Sequence, residues 1–441
     1  MNNTKLSLQT KAQTFKHYDS IKQSYRGTFI DRPLAIFLIL LLLPCFLMNI
    51  LIALISRKSI FSKLCKTDAL SRQVSLHRFN CGLWSKSAVL FDICLGRISF
   101  CGIPLTHKLP ANIQFCILNQ IKCRAGIFSL YDLHRKTGLT VMNSSQLLEK
   151  QLNGKNSDYF TLIIKSIISL CLYGLTINKL KKTKFLPLFG LKINNTSMNE
   201  AVNWITDTVA ENKLRHGNET QSHTTRLGFF VNVNSVNLSI TDSNFFQQLT
   251  KANALFADGS GMRLAAKKAG FLLKGNNNGT DMLPHLCKRC IESNQSLYLF
   301  GALPGVAEKA ADKLINQFPG LNIAGTNHGY KKDNNDEAII TKINNSGCDV
   351  LLVAMGSPLQ EQWLLKYRDQ LKCKTALAVG GLFDFYSGSI SRSPMWLREM
   401  GMEWVWRLIQ EPRNKFHRYV IGTPLFLYRT FFLGLVNTGV K

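Results

Sequence analysis

Acidic side chains are scarce in this chain: 27 Asp and Glu stand against 54 Lys and Arg in 441 residues, a formal charge of +27. So basic a balance suits nucleic acid, anionic lipid or phosphorylated substrates. Cysteine is present twelve times but without paired spacing. The lone Cys287-x-x-Cys290 has no second pair near it, which excludes a zinc or disulfide framework and leaves reduced thiols. A cleavable signal peptide is also missing, because about thirty polar and basic residues precede the first apolar run. No Asp-x-Asp follows a candidate strand, so a metal held in that way is not expected. Charged residues make up 18% and hydrophobic residues 46%, which fits a globular protein with some membrane contact.

The positive excess is uneven. Residues 1–190 hold 26 Lys and Arg against 7 Asp and Glu, and the remainder holds 28 against 20. The basic half is also the more apolar one. Leu34–Ile55 carries no charge over 22 residues, with Arg32 before it and Arg57, Lys58 and Lys63 after it. That length just spans a bilayer, while Pro44 and Asn49 suit a kinked or re-entrant helix equally well. A second run, Tyr159–Leu175, includes Lys165 and leads to Lys179, Lys181, Lys182 and Lys184, the pattern of an interfacial helix with a basic flank. Apolar segments beside the cations favour lipid over nucleic acid. Residues 1–29 read as a basic disordered arm and the stretch to about Ser157 as irregular.

From Leu188 the texture changes. Ser197-x-x-Glu200 is a capping box, and Met198, Val202, Ile205 and Val209 recur at helical spacing. Candidate strands follow at Leu227–Val233, Ala254–Ala257, Ser296–Phe300, Leu321–Ala324, Asp349–Met355 and Thr375–Val379. Amphipathic helices near Met262–Ala269, Met282–Ser293, Val306–Gln317, Glu337–Asn345 and Leu359–Leu371 alternate with them. This rhythm predicts an α/β fold with a mostly parallel sheet flanked by helices, whose ligands collect beyond the strands' carboxyl ends.

Small, turn-prone loops close those strands: Asn232 to Asn234, Asp258 to Gly261, Gly301 to Gly305, Gly356 to Pro358, and Gly380 with Gly381. Glycine admits close backbone approach to phosphate, and each following helix offers its N-terminus to negative charge. Asp258, between an apolar strand and Gly259-Ser260-Gly261, is the acid placed to accept a proton from an attacking hydroxyl. A helix N-cap is the plainer account of the same residue. Thr280 and Asp281 suit substrate contact or capping, Gln360 and Glu361 ligand or solvent, and Asp384 ligand or buried amides. After Gly388, Arg392, Trp396, Arg398, Trp404, Trp406, Arg407, Arg413, Lys415, Arg418 and Tyr419 crowd together, a mixture suited to lipid headgroups. Gly259-x-Gly261 superficially matches a dinucleotide fingerprint. Position 264 is Leu264, however, and Asp281 follows Asn-Asn-Asn-Gly-Thr rather than a second strand. An NAD-dependent oxidoreductase and a non-catalytic membrane scaffold are readings that these features leave open.

The ordered series VNVNS, ADGSGM, NGTD, LFGALPGVAEKAADKL, FPGLNIAGTNHGY, DVLLVAMGSPLQEQW, AVGGLFDFYSG, SRSPMW and GMEWVWRLIQEPRNKFHRY resembles the WecG/TagA/CpsF bacterial glycosyltransferases, from about Leu188 to Phe432. The resemblance implies a Rossmann-like core at residues 188–388 and a basic, membrane-binding appendage at 389–441. It implies metal-independent, inverting transfer from a UDP-sugar, such as UDP-N-acetylmannosamine or its uronic acid, to a polyprenyl-diphosphate-linked sugar in surface polysaccharide biosynthesis. The catalytic base falls on Asp258, and the family's Thr-x-Asn motif on Asn232 and Asn234, with Asn in place of Thr. Substrate contacts fall on Gly259, Gly261, Thr280, Asp281, Gly301, Gly356, Pro358, Gln360, Glu361, Gly380, Gly381, Asp384, Arg392, Arg407, Arg413 and Arg418. No cofactor and no metal are implied. The expected location is the cytoplasmic face of a bacterial inner membrane, and a homo-oligomer is compatible with this organisation.

Residues 30–184 are similar to bacterial polyprenyl-phosphate sugar-phosphate transferases at Leu34–Ile55, at Val74 to Phe79, at Arg135 to Leu139, and at Leu109-Pro110 followed by Asn119 to Lys122. Those enzymes carry Asp-Glu directly before Leu-Pro, where this chain has His107 and Lys108. Two cations cannot act as acidic nucleophile and metal ligand. The expectation is an inactive module retained as a membrane anchor.

Overall fold

A computed structural model of the chain describes residues 28–68, 73–81, 85–105, 124–139, 142, 144–152, 156–173, 180–207, 224–329, 335–434 and 436. His107, Lys108, Leu109, Pro110, the 119–122 motif, Lys179, Val209 and nearly all of the N-terminal arm lie outside them. The chain divides into two compact units, residues 1–137 with 142–175, and residues 138–141 with 176–441.

In the first unit, the long apolar run folds as two helices, Thr28–Leu41 and Leu43–Ile55. They are bent by 65° at Leu42, and among the described residues no single helix is long and apolar enough to cross a membrane. Pro44 lies in the first turn of the second helix. Without an N–H it cannot continue the preceding ladder, which accounts for the break. Phe37, Leu40, Leu41, Leu54 and Ile55 are exposed along the pair. The stretch expected to be irregular instead holds an antiparallel hairpin, Phe61–Thr67 with Gln73–Phe79. It also holds a small parallel sheet of Ser99–Cys101, Ala125–Phe128 and Ile103–Pro104. Strands of two to four residues are too short for their alternation to stand out in a sequence. The second apolar run is the helix Asn156–Tyr173, which buries Tyr159, Leu162 and Ile163 and exposes Phe160, Ile164 and Ile167. Buried Asp31 accepts hydrogen bonds from the Tyr159 hydroxyl and the Phe100 amide.

The second unit is built on an eight-stranded sheet. Its strands are β1 (Phe185–Leu188), β2 (Leu191–Asn194), β3 (Arg226–Val231), β4 (Ala254–Ala257), β5 (Ser296–Gly301), β6 (Asn322–Asn327), β7 (Val350–Ala354) and β8 (Thr375–Ala378). They lie in the order β6-β5-β7-β8-β3-β4-β2-β1. Every pairing is parallel except the β1–β2 hairpin. Six of the eight were foreseen within a few residues. The hairpin was not, because its strands have four residues each. The central strands are buried on both faces, as in β4 and β7, and this explains why they read as continuous apolar runs.

The sheet is covered by helices in two layers. These are α1 (Met198–Thr206), α2 (Val233–Thr241), α3 (Ser243–Thr250), α4 (Ser260–Lys268), α5 (Gly279–Glu292), α6 (Val306–Gln317), α7 (Asp336–Asn345), α8 (Leu359–Tyr367) and α9 (Leu382–Ser387). The Ser197–Glu200 capping box forms as expected and starts α1. One core lies under α2, α3, α4, α7 and α8 and includes Phe229, Phe245, Met262 and Leu351. The other lies under α1, α5 and α6 and includes Phe256, Leu286, Leu299 and Leu352. Cys287 and Cys290 belong to that second core, fully buried on α5. Strand β3 stops at Val231, two residues short of expectation, because the Asn232 side chain caps α2 and turns the chain into a helix.

After α9 the chain continues as α10 (Met395–Glu399), α11 (Glu403–Gln410), α12 (Pro412–Phe416), a π turn at His417–Ile421 and α13 (Gly422–Phe431). It remains part of the same compact unit. Phe426 is fully buried in the first core and packs on Phe189 with ring centroids 5.5 Å apart. The Val436 carbonyl accepts from the Phe189 amide at 3.1 Å.

Gly301 ends β5 with φ +126°, and a Cβ there would lie 2.3 Å from the Ala354 carbonyl oxygen. Gly301→Ala combines a strained backbone with a clash against a neighbouring strand. It is expected to cost about 3 kcal/mol, read as a lower denaturant midpoint for the purified chain.

Candidate active site

Because β3, β4, β5, β7 and β8 run parallel, their carboxyl ends and the loops after them share one edge of the sheet. The paired ends Val231 with Ala257, and Gly301 with Ala354, show that the tips are level. Asn232 and Asp258 stand on the two adjacent tips. Asn232 Oδ1 accepts from the amides of Asn234 at 3.0 Å and Ser235 at 3.1 Å. Its oxygen is thus committed to capping α2, and its Nδ2 donates to Asp258 Oδ2 at 3.3 Å. Asn234 contributes that backbone amide from the first turn of the helix.

Asp258 is held at its own amide by the Val231 carbonyl, 2.9 Å away. The residue is partly open to solvent yet closely surrounded by protein. This desolvation, joined by the negative charge of Asp281, pushes its carboxyl above the ordinary carboxylate range. Asn232, Arg418 and Arg407 draw it back. Gly259 follows with φ +91° and open space where a Cβ would be. Its amide donates to Asn276 Oδ1 at 2.7 Å. Gly261 does not line the edge: a Cβ there would lie 2.2 Å from Val233 Cγ2, so it serves the packing of α4 on α2.

A second cluster lies at the start of α5. Asn278 caps that helix and binds Asp281 twice, accepting from its amide at 2.7 Å and donating to Oδ2 at 2.8 Å. Asp281 Oδ1 accepts from Arg392, with Arg398 Nη1 3.9 Å away. Glu403 Oε1 is 3.9 Å from Arg392 Nε, and burial raises the Glu403 carboxyl. Thr280 offers its carbonyl to the Tyr386 hydroxyl at 2.9 Å.

At the β7 and β8 tips, Gln360 joins two loops. Its Oε1 accepts from the Gly380 amide at 2.9 Å and its Nε2 donates to Glu361 Oε1 at 2.9 Å. Glu361 also accepts from the Ser357 hydroxyl, beside Pro358, at 2.8 Å. Both side chains are buried, and burial raises the Glu361 carboxyl. These two therefore knit the loops together, while Gly356 and Gly380, at φ +78° and +60°, leave open space above. Arg407 covers the β8 tip, stacked 4.5 Å over Phe385 and close to Gly381. Asp384, raised by burial, is drawn back by Arg407 and Lys415. Lys415 is lowered by burial despite Glu411, 3.7 Å away. Arg413 is exposed on α12 and does not join the group.

The structure thus gathers Asp258, Asn232, Gly259, Asp281, Gly380, Gly381, Asp384, Arg392, Arg407 and Arg418 around one edge. Sequence reasoning passed over Asn276, Glu403, Glu411 and the site placement of Arg398 and Lys415. Three of these, Glu403, Glu411 and Lys415, sit inside the quoted motifs, and the acids next to Trp404 and Pro412 were the available signal. Among the described residues no group of three His, Cys, Asp or Glu is arranged to hold a metal ion.

The family model described as "Glycosyl transferase WecG/TagA/CpsF family" matches residues 186–438. Similar curated relatives are N-acetylglucosaminyldiphosphoundecaprenol N-acetyl-beta-D-mannosaminyltransferases. The Bacillus spizizenii protein is 32% identical over 179 residues, 41% of this chain and 68% of that protein. The one from Bacillus subtilis is 28% identical over 174 residues, 40% of this chain and 67% of that protein. A Staphylococcus aureus relative is 26% identical over 257 residues, 58% of this chain and 95% of that protein.

Proposed function

The chain belongs to the WecG/TagA/CpsF glycosyltransferase family, and from that premise we propose that it moves a sugar from a UDP-sugar onto a polyprenyl-diphosphate-linked sugar, with inversion and without a metal. N-acetylmannosamine, its uronic acid or a similar hexose is the donated sugar, and the relatives' names support the first of these and a polyprenyl-diphosphate acceptor. One observation carries the reading: a carboxylate, Asp258, stands at a strand tip that is flanked by Asn232 and faced by the cations Arg407 and Arg418.

In the reaction an acceptor hydroxyl oxygen attacks the anomeric carbon and the bond from that carbon to the UDP oxygen breaks. Asp258 takes the hydroxyl proton. Burial and Asp281 strengthen it as a base, and Asn232 holds one carboxylate oxygen so that the other faces the acceptor. The departing UDP carries new negative charge, which Arg407, Arg418 and Lys415 neutralise beside the open space left at Gly356 and Gly380. The sheet order, with β3 leading to β4 on one side and β8 arriving on the other, supports a Rossmann-like reading of the core and donor binding at that crevice.

The proposal includes membrane association, on the cytoplasmic face, as a lipid-linked acceptor requires contact with a bilayer. It is supported by the exposed apolar residues of the bent helix pair and by Trp396, Phe416, Tyr428 and Phe432, which are exposed among the C-terminal cations. Residues 30–184 act in this proposal as an anchor without phosphosugar transferase activity. Such activity in a chain carrying Asp258→Asn would refute that part.

Purified protein given a panel of UDP-sugars and a short-chain polyprenyl-diphosphate N-acetylglucosamine is expected to yield one disaccharide product, identified by mass, together with UDP. Titration is expected to show UDP binding and no NAD binding. Absence of both product and UDP binding would remove the proposal.

A further inference from the structure

Helix α11 carries Arg407 to the β8 tip, yet none of its described residues is fully buried and its N-cap, Met402, makes no side-chain capping bond. Deep apolar burial therefore does not fix how the helix is rotated, although the Trp404 ring packs on Tyr419 with centroids 6.0 Å apart. Polar contacts help to fix it, and apart from those of Arg407 itself with Phe385 and Glu411 they come from the segment that contains Ser391 and Arg392. At the far end of the helix, Gln410 accepts from the Ser391 amide at 2.9 Å and donates to the Ser391 carbonyl at 3.0 Å. At the near end, Arg392 lies between Asp281 and Glu403. Asp281 is itself fixed by the cap of α5 and has a side chain only 4% exposed.

Glu403 and Arg407 are four residues apart, so they share one face of α11, one turn from each other. Whatever holds Glu403 also aims Arg407. From this we infer that Asp281, Arg392 and Glu403 form a positioning relay, running from the core sheet to the appendage, that sets Arg407 over the donor diphosphate. The inference rests on the donor-site reading of Arg407 given above. None of the three residues needs to touch the donor: Asp281 is spent on Asn278 and Arg392, and Arg392 bonds Asp281 with its Nε 3.9 Å from Glu403. Two of them were expected to contact substrate, and the relay gives them a different task. Arg suits the middle position because its planar fork engages carboxylates on two sides, which a lysine ammonium does not reproduce.

A double-mutant cycle on the full chain tests this, with UDP binding measured by calorimetry and KM and kcat measured for the UDP-sugar. Glu403→Gln keeps the shape and removes the charge. It is expected to weaken UDP binding about tenfold, to raise KM by a similar factor, and to leave kcat within about threefold, a coupling in the range of neighbouring charged groups. Arg392→Lys should act in the same direction. In an Arg407→Ala background, Glu403→Gln should weaken UDP binding no further, because the side chain it aims is gone. Additive losses in the double variant would overturn the relay while leaving the donor site in place. A fall in kcat with UDP binding intact would also overturn it, and so would wild-type behaviour of Glu403→Gln. Undiminished UDP binding by Arg407→Ala would overturn the relay and the donor-site reading together. Thermal melts of each variant identify any loss that comes from unfolding.

Discussion

Asp258→Asn is expected to lower turnover by about 10²–10⁴-fold, the range that a positioned general base contributes, with UDP binding close to wild type. The amide is nearly isosteric and still accepts from Asn232, so the tip geometry survives and only the base is lost. In the wild-type chain, burial and Asp281 raise the Asp258 carboxyl, and the base works only when ionised. The acid limb of kcat/KM should therefore fall at a higher pH than an ordinary aspartate would give. Stability has the opposite sign. A carboxyl whose folded pKa lies above its unfolded value contributes stability that is full below the unfolded pKa and is lost as pH rises through the folded one. At neutral pH the ionised Asp258 is thus a destabilising group, and Asp258→Asn should melt at the same temperature or higher. A variant that keeps wild-type turnover would take Asp258 out of the chemistry. One that melts well below wild type would show that the carboxylate supports the fold instead.

Phe426→Ala is expected to cost about 3–5 kcal/mol, the usual penalty for emptying a buried phenylalanine site. Phe426 is wholly buried between Phe189 and the region of Gly261, and its helix is tied to α2 by the Asn237 side chain, which donates to the Gly422 carbonyl at 2.7 Å. The π turn that carries Arg418 directly precedes this helix, so transfer should fall together with stability. Phe432, on the following turn and 79% exposed, provides the contrast: Phe432→Ala should stay within about 0.5 kcal/mol in a melt without lipid. Equal effects from the two substitutions would mean that α13 is not docked as described.

The two phenylalanines also mark what a sequence conceals. Both lie in an apolar tail with Arg429 as its only charge, and composition alone cannot separate a core helix from one lying on lipid. The parallel strands were legible because burial on both faces leaves apolar runs such as Ala254–Ala257, ended by glycine-rich turns. Asp258 was legible for the same reason, as an acid where an apolar run stops. Asn232 was visible as a polar tip residue, but its double use, with oxygen to the helix and nitrogen to Asp258, depends on a tertiary neighbour 26 positions away. Glu403 was hidden further still. Its cation partner Arg392 is 11 residues away, but the Asp281 carboxylate that Arg392 also holds lies 122 residues before it, and next to Trp404 it looks like an ordinary helix-starting glutamate.

The contact between Phe189 and Val436 has a practical consequence. β2 runs parallel to β4, so the Phe189–Gly190 turn at its start lies at the end of the sheet opposite Asp258. α13 thus carries the chain from the edge that bears Asp258 to the opposite end of this sheet, where Val436 meets Phe189. A tether at Val436 is therefore expected to leave the Asp258 edge of this unit facing away from the support.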